Sequence, residues 1–146
     1  MHVAGTTPRW GKVAEGTTVT DYEDDSIERK VSLNNNFAHL EYKDTKINLI
    51  DTPGYAAFVS HARPALRVSD CALVVVDGVN GIEVQTEKTW QYANEFLLPR
   101  FMVINKLDKE RADFGHALDT ASESFARSIV PFTLPIGQEA EFQRRG

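Results

Sequence analysis

The chain has little of what would point to secretion, a disulfide scaffold or membrane insertion. It contains a single cysteine, Cys71, so no disulfide can form within it, which fits a reducing compartment. Its apolar runs are far shorter than the roughly 20 residues that span a bilayer, and no signal-peptide pattern opens the sequence. We therefore expect a cytoplasmic protein with no membrane partner.

An excess of basic charge is also absent. Twenty-one acidic residues against 16 basic ones give a net charge of −5 over 146 residues. This balance does not favour broad electrostatic capture of nucleic acid, and we expect no direct DNA binding. The four histidines have no metal-ligand spacing, and no nucleophilic serine arrangement or general-base dyad stands out. The apolar content of 42% is nevertheless enough for the core of one domain.

Three short apolar runs that end on polar residues are the main positive signal. They lie at residues 47–50, 71–77 and 100–105, and they are followed by Asp51, by Gly78 and by Lys106. Helix-length segments at 56–68, 84–98 and 112–128 separate or follow them, which predicts a mostly parallel sheet covered on both faces. Residues 31–33, 37–42 and 131–136 are also strand-like. The run at 37–42 alternates as an edge strand does and forms a predicted hairpin with the strand at 47–50.

Polar residues at the ends of such strands point into the crevice where open α/β sheets bind ligands. Asp51-Thr52-Pro53-Gly54 follows the first run, and Asn105-Lys106-Leu107-Asp108 follows the third. Read alone, the first motif is better explained as an ordinary turn, because all four residue types favour turns. The order Asp-x-x-Gly, buried strand, Asn-Lys-x-Asp resembles that of guanine-nucleotide-binding proteins.

That resemblance assigns a role to each polar residue. The Asp108 carboxylate accepts both the ring N–H and the exocyclic amine of guanine, a donor pair that adenine does not present. Asn105 anchors the base and the loop, and the Lys106 stem lies along the base plane. Asp51 acts through the water shell of Mg²⁺, and Gly54 offers its backbone N–H to the terminal phosphate of GTP. Together Asp51 and Gly54 would sense whether the terminal phosphate is present, which is the basis of a switch between ordered and disordered states.

Over nearly its whole length the chain resembles the GTP-binding domain of elongation factor G, and in particular its elongation-factor-G-like paralogues. Residues 28–33, Glu-Arg-Lys-Val-Ser-Leu, are similar to the family's Glu-Arg-Gly-Ile-Thr-Ile, so Ser32 falls on the threonine that binds magnesium. Residues 16–22, 81–86 and 134–137 are also similar to this family. The resemblance implies a P-loop-GTPase-type α/β fold, with residues 1–36 as loop and first switch, 37–136 as the core and 137–146 as a tail. It implies GTP or GDP and Mg²⁺ as ligands, and the ribosome as partner.

The sequence departs from the family pattern at two motifs. Tyr55 stands where the family has the histidine that positions the attacking water, so we expect slow or differently arranged hydrolysis. No Gly-x-x-x-x-Gly-Lys-Ser/Thr segment occurs in the 146 residues, although this phosphate loop supplies the backbone nest and the lysine that hold the phosphates. In this fold the missing N-terminal strand lies between the strands that end at Asp51 and Asp77. We therefore expect a gap in the sheet, an internal fragment of a translational GTPase, and an inactive chain when it stands alone.

Two alternatives stay open at the sequence level. The chain is either part of a translational GTPase or a degenerate, nucleotide-free interaction module derived from one. Within the first alternative, a release-factor-three type and a tetracycline-resistance ribosomal protection type share most of these motifs with elongation factor G.

Overall fold

The computed structural model describes residues 1–125 and 129–143, and these divide into two compact units, residues 1–68 and residues 69–146. Each unit contains one two-stranded sheet among the described residues. The same residues contain no helix long and apolar enough to cross a membrane.

The first unit is built on a β-hairpin. Its elements are α1 (Asp24–Arg29), β1 (Asn36–Tyr42), β2 (Thr45–Asp51) and α2 (Ala62–Arg67), with short 3₁₀ helices at Val13–Glu15 and Ala56–His61. The two strands pair antiparallel, so the predicted hairpin is confirmed. Lys43 and Asp44 form its two-residue turn with φ of 48° and 59°, the left-handed conformation that a type I′ turn requires.

The helical part of this unit consists of two short helices, and Pro64 lies in the second of them. We predicted a helix over residues 56–68 that is kinked or begins near Pro64. The structure has a 3₁₀ helix followed by α2, with Pro64 in the first turn of α2. There the missing N–H of proline would have no intrahelical partner anyway, so the residue is tolerated.

The second unit is a parallel strand pair with helices. Its elements are β3 (Ala72–Asp77), α3 (Val84–Glu95), β4 (Arg100–Asn105) and α4 (Phe114–Ser124), with a 3₁₀ helix at Glu139–Glu141. The helix α3 packs against β3, and the Trp90 ring of α3 stacks on Phe125 after α4 with 4.3 Å between the ring centroids. The core is formed by the buried apolar side chains Ala72, Val74, Val76, Ala93, Leu98, Leu107, Ala112, Ala117 and Ala121.

One face of the β3–β4 pair is exposed in this chain. Leu73 and Val75 of β3 are 63% and 57% exposed, and Phe101 and Val103 opposite them on β4 are 64% and 41% exposed. The residues that alternate with the exposed ones on β3 are buried. Within the described residues, this sheet is therefore covered on one face only.

Two predicted strands do not form. Residues 131–136 lie in irregular backbone, where Phe132 is 95% exposed. Pro131 and Pro135 remove two ladder donors from this short run, and this explains why it pairs with no strand among the described residues. Residues 31–33 are also irregular, because Ser32 is bonded to a preceding loop rather than to a neighbouring strand.

Two helix ends also differ from the prediction. The helix α3 stops at Glu95 rather than near Leu98, because Leu97 takes a left-handed φ of 54° and is 88% exposed. The apolar spacing of Trp90, Ala93, Phe96 and Leu97 predicts an inward stripe on this helix, and for Leu97 that prediction is wrong. The helix α4 begins at Phe114, where the Asp113 carboxylate caps it by accepting the His116 N–H at 2.9 Å. Its predicted end at Ser128 lies outside the described residues.

Candidate functional site

The predicted phosphate-side residues lie in the first unit, around the end of β2. Asp51 is the last residue of β2 and is half-buried. The turn that follows contains buried Pro53 and exposed Gly54. Tyr55 is 62% exposed and immediately precedes the 3₁₀ helix, where its carbonyl oxygen accepts the Phe58 N–H at 2.9 Å. The structure thus places three of the predicted residues on one exposed turn.

No neighbouring protein atom would collide with a side chain at position 54. A Cβ built on this glycine would meet no atom within 4 Å, and its φ is not in the left-handed region. The fold of this chain therefore does not require glycine here. The open space beside the backbone fits the role of a phosphate-contacting N–H, since such a contact needs close approach of the ligand.

Ser32 makes its hydrogen bond with Asp21 in this structure. The Ser32 hydroxyl donates to Asp21 Oδ1 at 2.8 Å, and the Thr18 hydroxyl donates to Asp21 Oδ2 at 2.9 Å. Asp21 therefore fixes the segment that carries the predicted magnesium ligand. We had assigned no role to this carboxylate, because only the folded loop brings it to Ser32, 11 residues away.

A buried amide lies opposite Asp51. Asn36 of β1 is the direct cross-strand neighbour of Asp51, and it is fully buried. Neither its Oδ1 nor its Nδ2 has a hydrogen-bond partner in the part of the chain that the structure describes. Side chains of directly opposed residues project from the same face of a hairpin. Asp51 and this amide therefore place side-chain oxygen atoms, of the kind that Mg²⁺ prefers, on one face of the hairpin end.

The predicted base-side residues lie in the second unit, where β4 ends at Asn105. Asn105, Lys106 and Asp108 are all exposed, and Leu107 between them is buried with 6% of its surface accessible. The Asn105 carbonyl oxygen accepts the Gly78 N–H at 2.8 Å, which joins the end of β4 to the loop after β3. The polar residues are therefore presented outward from an anchored loop.

Gly78, in contrast to Gly54, has no room for a side chain. A Cβ on this glycine would lie 2.9 Å from the Asn105 carbonyl oxygen and 2.9 Å from Leu107 Cδ2. Both contacts are closer than real Cβ atoms approach, so a substitution must shift the base-side loop. Gly78 is thus a packing requirement of the candidate site, although its sequence context suggested only a loop.

The main electrostatic feature of the second unit is an ion pair between Asp77 and Lys106. Lys106 Nζ donates to Asp77 Oδ2 at 2.7 Å. The hydrogen bond from Lys106 is the largest influence on Asp77, and it lowers the pKa of this carboxyl below its usual value. The backbone N–H groups of Val79 and Asn80 lower the pKa further, against the opposing effect of burial. Asp77 is consequently ionised at neutral pH.

Two mixed α/β units whose strands end in Asp-x-x-Gly and Asn-Lys-x-Asp motifs define a protein of the guanine-nucleotide-binding class. The family model for the elongation factor Tu GTP binding domain matches residues 1–141. The chain therefore belongs to this family, and its fold is a mixed α/β fold of the translational-GTPase type.

Individual relatives agree with this family. The chain is 38% identical over 142 residues to elongation factor G of Granulibacter bethesdensis, a match that covers 97% of this chain and 20% of that protein. It is 42% identical over 129 residues to an elongation factor G-like protein of Mycobacterium tuberculosis, covering 88% of this chain and 18% of the relative. The crystal structure of a Thermus thermophilus protein matches with a TM-score of 0.88 at 34% identity, covering 97% of this chain and 21% of that one. The chain thus spans about a fifth of the length of these relatives.

Proposed function

We propose that this chain is the guanine-nucleotide-binding part of a translation factor of the elongation factor G type, which hydrolyses GTP on the ribosome. The observation that carries the proposal is the end of β4, where Asn105 and Asp108 are exposed on an anchored loop. Its relatives are named elongation factor G and elongation factor G-like protein, which favours this branch over the release-factor-three and ribosomal protection types. The cytoplasm is the expected location.

In this proposal Asp108 selects guanine. Its carboxylate accepts the two donors on one edge of the base, and Asn105 holds the loop and the base. A site built around such hydrogen bonds rejects an analogue that lacks the donors, because its own polar groups are then left unpaired. Lys106 covers the base plane with its stem.

The residues of the first unit act on the phosphates. Asp51, through water, and Ser32 would hold Mg²⁺, which would neutralise phosphate charge. The Ser32 hydroxyl, which donates to Asp21 in this structure, would then bind the ion in place of that carboxylate. Gly54 donates its N–H to the terminal phosphate, and Tyr55 orients the attacking water through its phenol.

The experiment that tests base recognition is a ¹H–¹⁵N NMR titration of the 146-residue chain with GDP and, separately, with ADP. We expect GDP at millimolar concentration to shift the amide signals of residues 105–108, and ADP to leave them in place. Equal shifts with both nucleotides would contradict guanine recognition. ADP is the matched control, because its ribose and phosphates are the same as those of GDP.

The second candidate function is a nucleotide-free interaction module. It is favoured by one observation, the apolar side chains of Leu73, Val75, Phe101 and Val103 that are exposed on β3 and β4. The same titration separates the two functions, since a module of this kind gives no response to either nucleotide.

A further inference from the structure

Asp77 connects the ends of two neighbouring strands. It is the last residue of β3 and is paired in the parallel ladder with Asn105, the last residue of β4. Its side chain reaches the residue that follows Asn105, because Lys106 Nζ donates to Asp77 Oδ2 at 2.7 Å. Asp77 therefore contacts the Asn-Lys-x-Asp motif directly, from an element that lies 29 residues earlier in the sequence.

The two carboxylate oxygens of Asp77 have different partners. Oδ2 accepts Lys106, whereas Oδ1 accepts the backbone N–H of Val79 at 2.8 Å and that of Asn80 at 3.4 Å. One oxygen thus fixes the loop after β3, and the other fixes the lysine. Because the two contacts are separate, a substitution can remove the charge on the lysine side while an acceptor remains for the loop.

Lys106 has a backbone conformation that needs support. Its φ is 60°, in the left-handed region that is strained for a residue other than glycine. The Lys106 carbonyl oxygen accepts the Lys109 N–H at 3.0 Å, and the next carbonyl, of Leu107, accepts the Glu139 N–H at 2.8 Å. The backbone around the lysine is therefore fixed on its carboxyl-terminal side, and Asp77 fixes its side chain.

The ion pair contributes little to folding. The Lys106 side chain is 56% exposed, and exposed ion pairs typically add little to the stability of a protein. What the pair determines is the direction of the lysine side chain. Because Asn105 and Asp108 flank Lys106 closely in sequence, the direction of that side chain and the shape of the loop are coupled.

We infer that Asp77 is a positioning residue for guanine recognition, which acts by tethering Lys106 and so holding residues 105–108 in their binding conformation. The inference rests on the proposed function and names a residue outside the Asn-Lys-x-Asp motif itself. Without the tether the loop samples other conformations, and the apparent dissociation constant rises in inverse proportion to the fraction that is competent to bind. If about a fifth of the molecules remain competent, affinity falls about fivefold.

The tether is tested first without nucleotide. D77N keeps an oxygen that can accept the Val79 and Asn80 N–H groups, but it removes the charge that holds Lys106. NMR should then show the Lys106 side-chain signals moving to positions typical of a freely solvated lysine, while the Val79 amide stays close to its original position. D119N is the matched control, because it removes one negative charge from a residue of α4. Unchanged Lys106 signals in D77N would overturn the tether.

The role in recognition is tested by a double-mutant cycle on the same chain. GDP titrations of the unsubstituted chain, D77N, K106A and D77N/K106A give four dissociation constants. We expect D77N to weaken GDP binding about three- to tenfold when Lys106 is present, D119N to leave it unchanged, and D77N to have no further effect in the K106A background. Equal effects of D77N in both backgrounds, or none in either, would overturn the inference.

Failure of the proposed function has a different signature. If the unsubstituted chain gives no GDP-dependent shifts even at millimolar GDP, guanine recognition by this chain is wrong, and the positioning role falls with it. Guanine binding that D77N leaves unchanged contradicts the positioning role alone.

Discussion

At the scale of the residue, the candidate site depends on a few side chains whose surroundings differ in kind. Gly54 has open space beside it and Tyr55 is exposed, whereas Asp77 and Ser32 are held by specific hydrogen bonds. The proposal assigns Gly54 to the terminal phosphate and Tyr55 to the attacking water. The bonds of Asp77 and Ser32 fix loops, and Ser32 would have to give up its bond to Asp21 to bind a metal.

Asp108 gives the sharpest residue-scale prediction. We consider the extended protein, which is this chain preceded by a strand and a Gly-x-x-x-x-Gly-Lys-Ser/Thr loop. In it, D108N should weaken GDP binding by about 2 kcal/mol, roughly 30-fold, because a charged acceptor pair becomes one acceptor and one donor. Preference should shift toward xanthine nucleotides, whose ring edge matches the amide. Competition between GDP and XDP measures this, and an unchanged preference for GDP would show that Asp108 does not contact the base.

Tyr55 gives a prediction on rate rather than affinity. Each factor of ten in rate corresponds to about 1.4 kcal/mol of barrier, so a poorly positioned water slows hydrolysis without abolishing it. In single-turnover hydrolysis by the extended protein on ribosomes, Y55H should be faster than the unsubstituted protein and Y55F slower. Three indistinguishable rates would mean that Tyr55 does not position the water.

At the scale of the element, the two strand ends are built differently. The turn after β2 projects into open space at Gly54, whereas the loop after β3 is packed against the end of β4 through Gly78. The first can therefore rearrange around a ligand at little cost to the fold. The second is a rigid part of the sheet edge.

An alanine substitution at Gly78 and one at Gly54 should change the free energy of unfolding by different amounts, because the two turns are packed differently. G78A should destabilise the chain by about 1–3 kcal/mol, because the new methyl group overlaps Asn105 and Leu107. G54A should change the free energy of unfolding by no more than about 0.5 kcal/mol, as expected for a surface site. Urea unfolding of the two variants measures both, and equal destabilisation would contradict the packing argument. In the extended protein, G54A should nevertheless reduce the preference for GTP over GDP.

At the scale of the whole molecule, the chain presents base-side and phosphate-side residues in separate compact units without a phosphate loop in its sequence. That loop would supply the nest of backbone N–H groups and the lysine that hold most of the phosphate charge. Hydrogen bonds to the base are then the main source of affinity that remains for the 146 residues.

We therefore predict that the isolated chain binds GTP and GDP only weakly, in the millimolar range. Calorimetry with each nucleotide in the presence of Mg²⁺ provides the measurement, and the extended protein is the comparison. Its affinity should be higher by several orders of magnitude. Sub-micromolar binding by the 146-residue chain would mean that the phosphate loop is not the main source of affinity here.

The sequence by itself determined the local elements of this protein. Alternation along 37–42 and the apolar runs at 47–50, 71–77 and 100–105 were sufficient to predict the four strands that the structure describes, because strand formation there follows from side-chain pattern and turn residues. The Asp-x-x-Gly and Asn-Lys-x-Asp motifs could also be recognised in the sequence, because the residues of each motif are contiguous in the chain. Their assigned roles stay predictions.

Only the tertiary structure decided which residues meet across the chain. The bonds from Lys106 to Asp77 and from Ser32 to Asp21 join residues 29 and 11 positions apart, and no local pattern encodes such pairs. The strand predicted at 131–136 fails for two reasons. Its two prolines, which are visible in the sequence, remove ladder donors, whereas only the tertiary structure decides whether a neighbouring strand supplies the other half of a ladder.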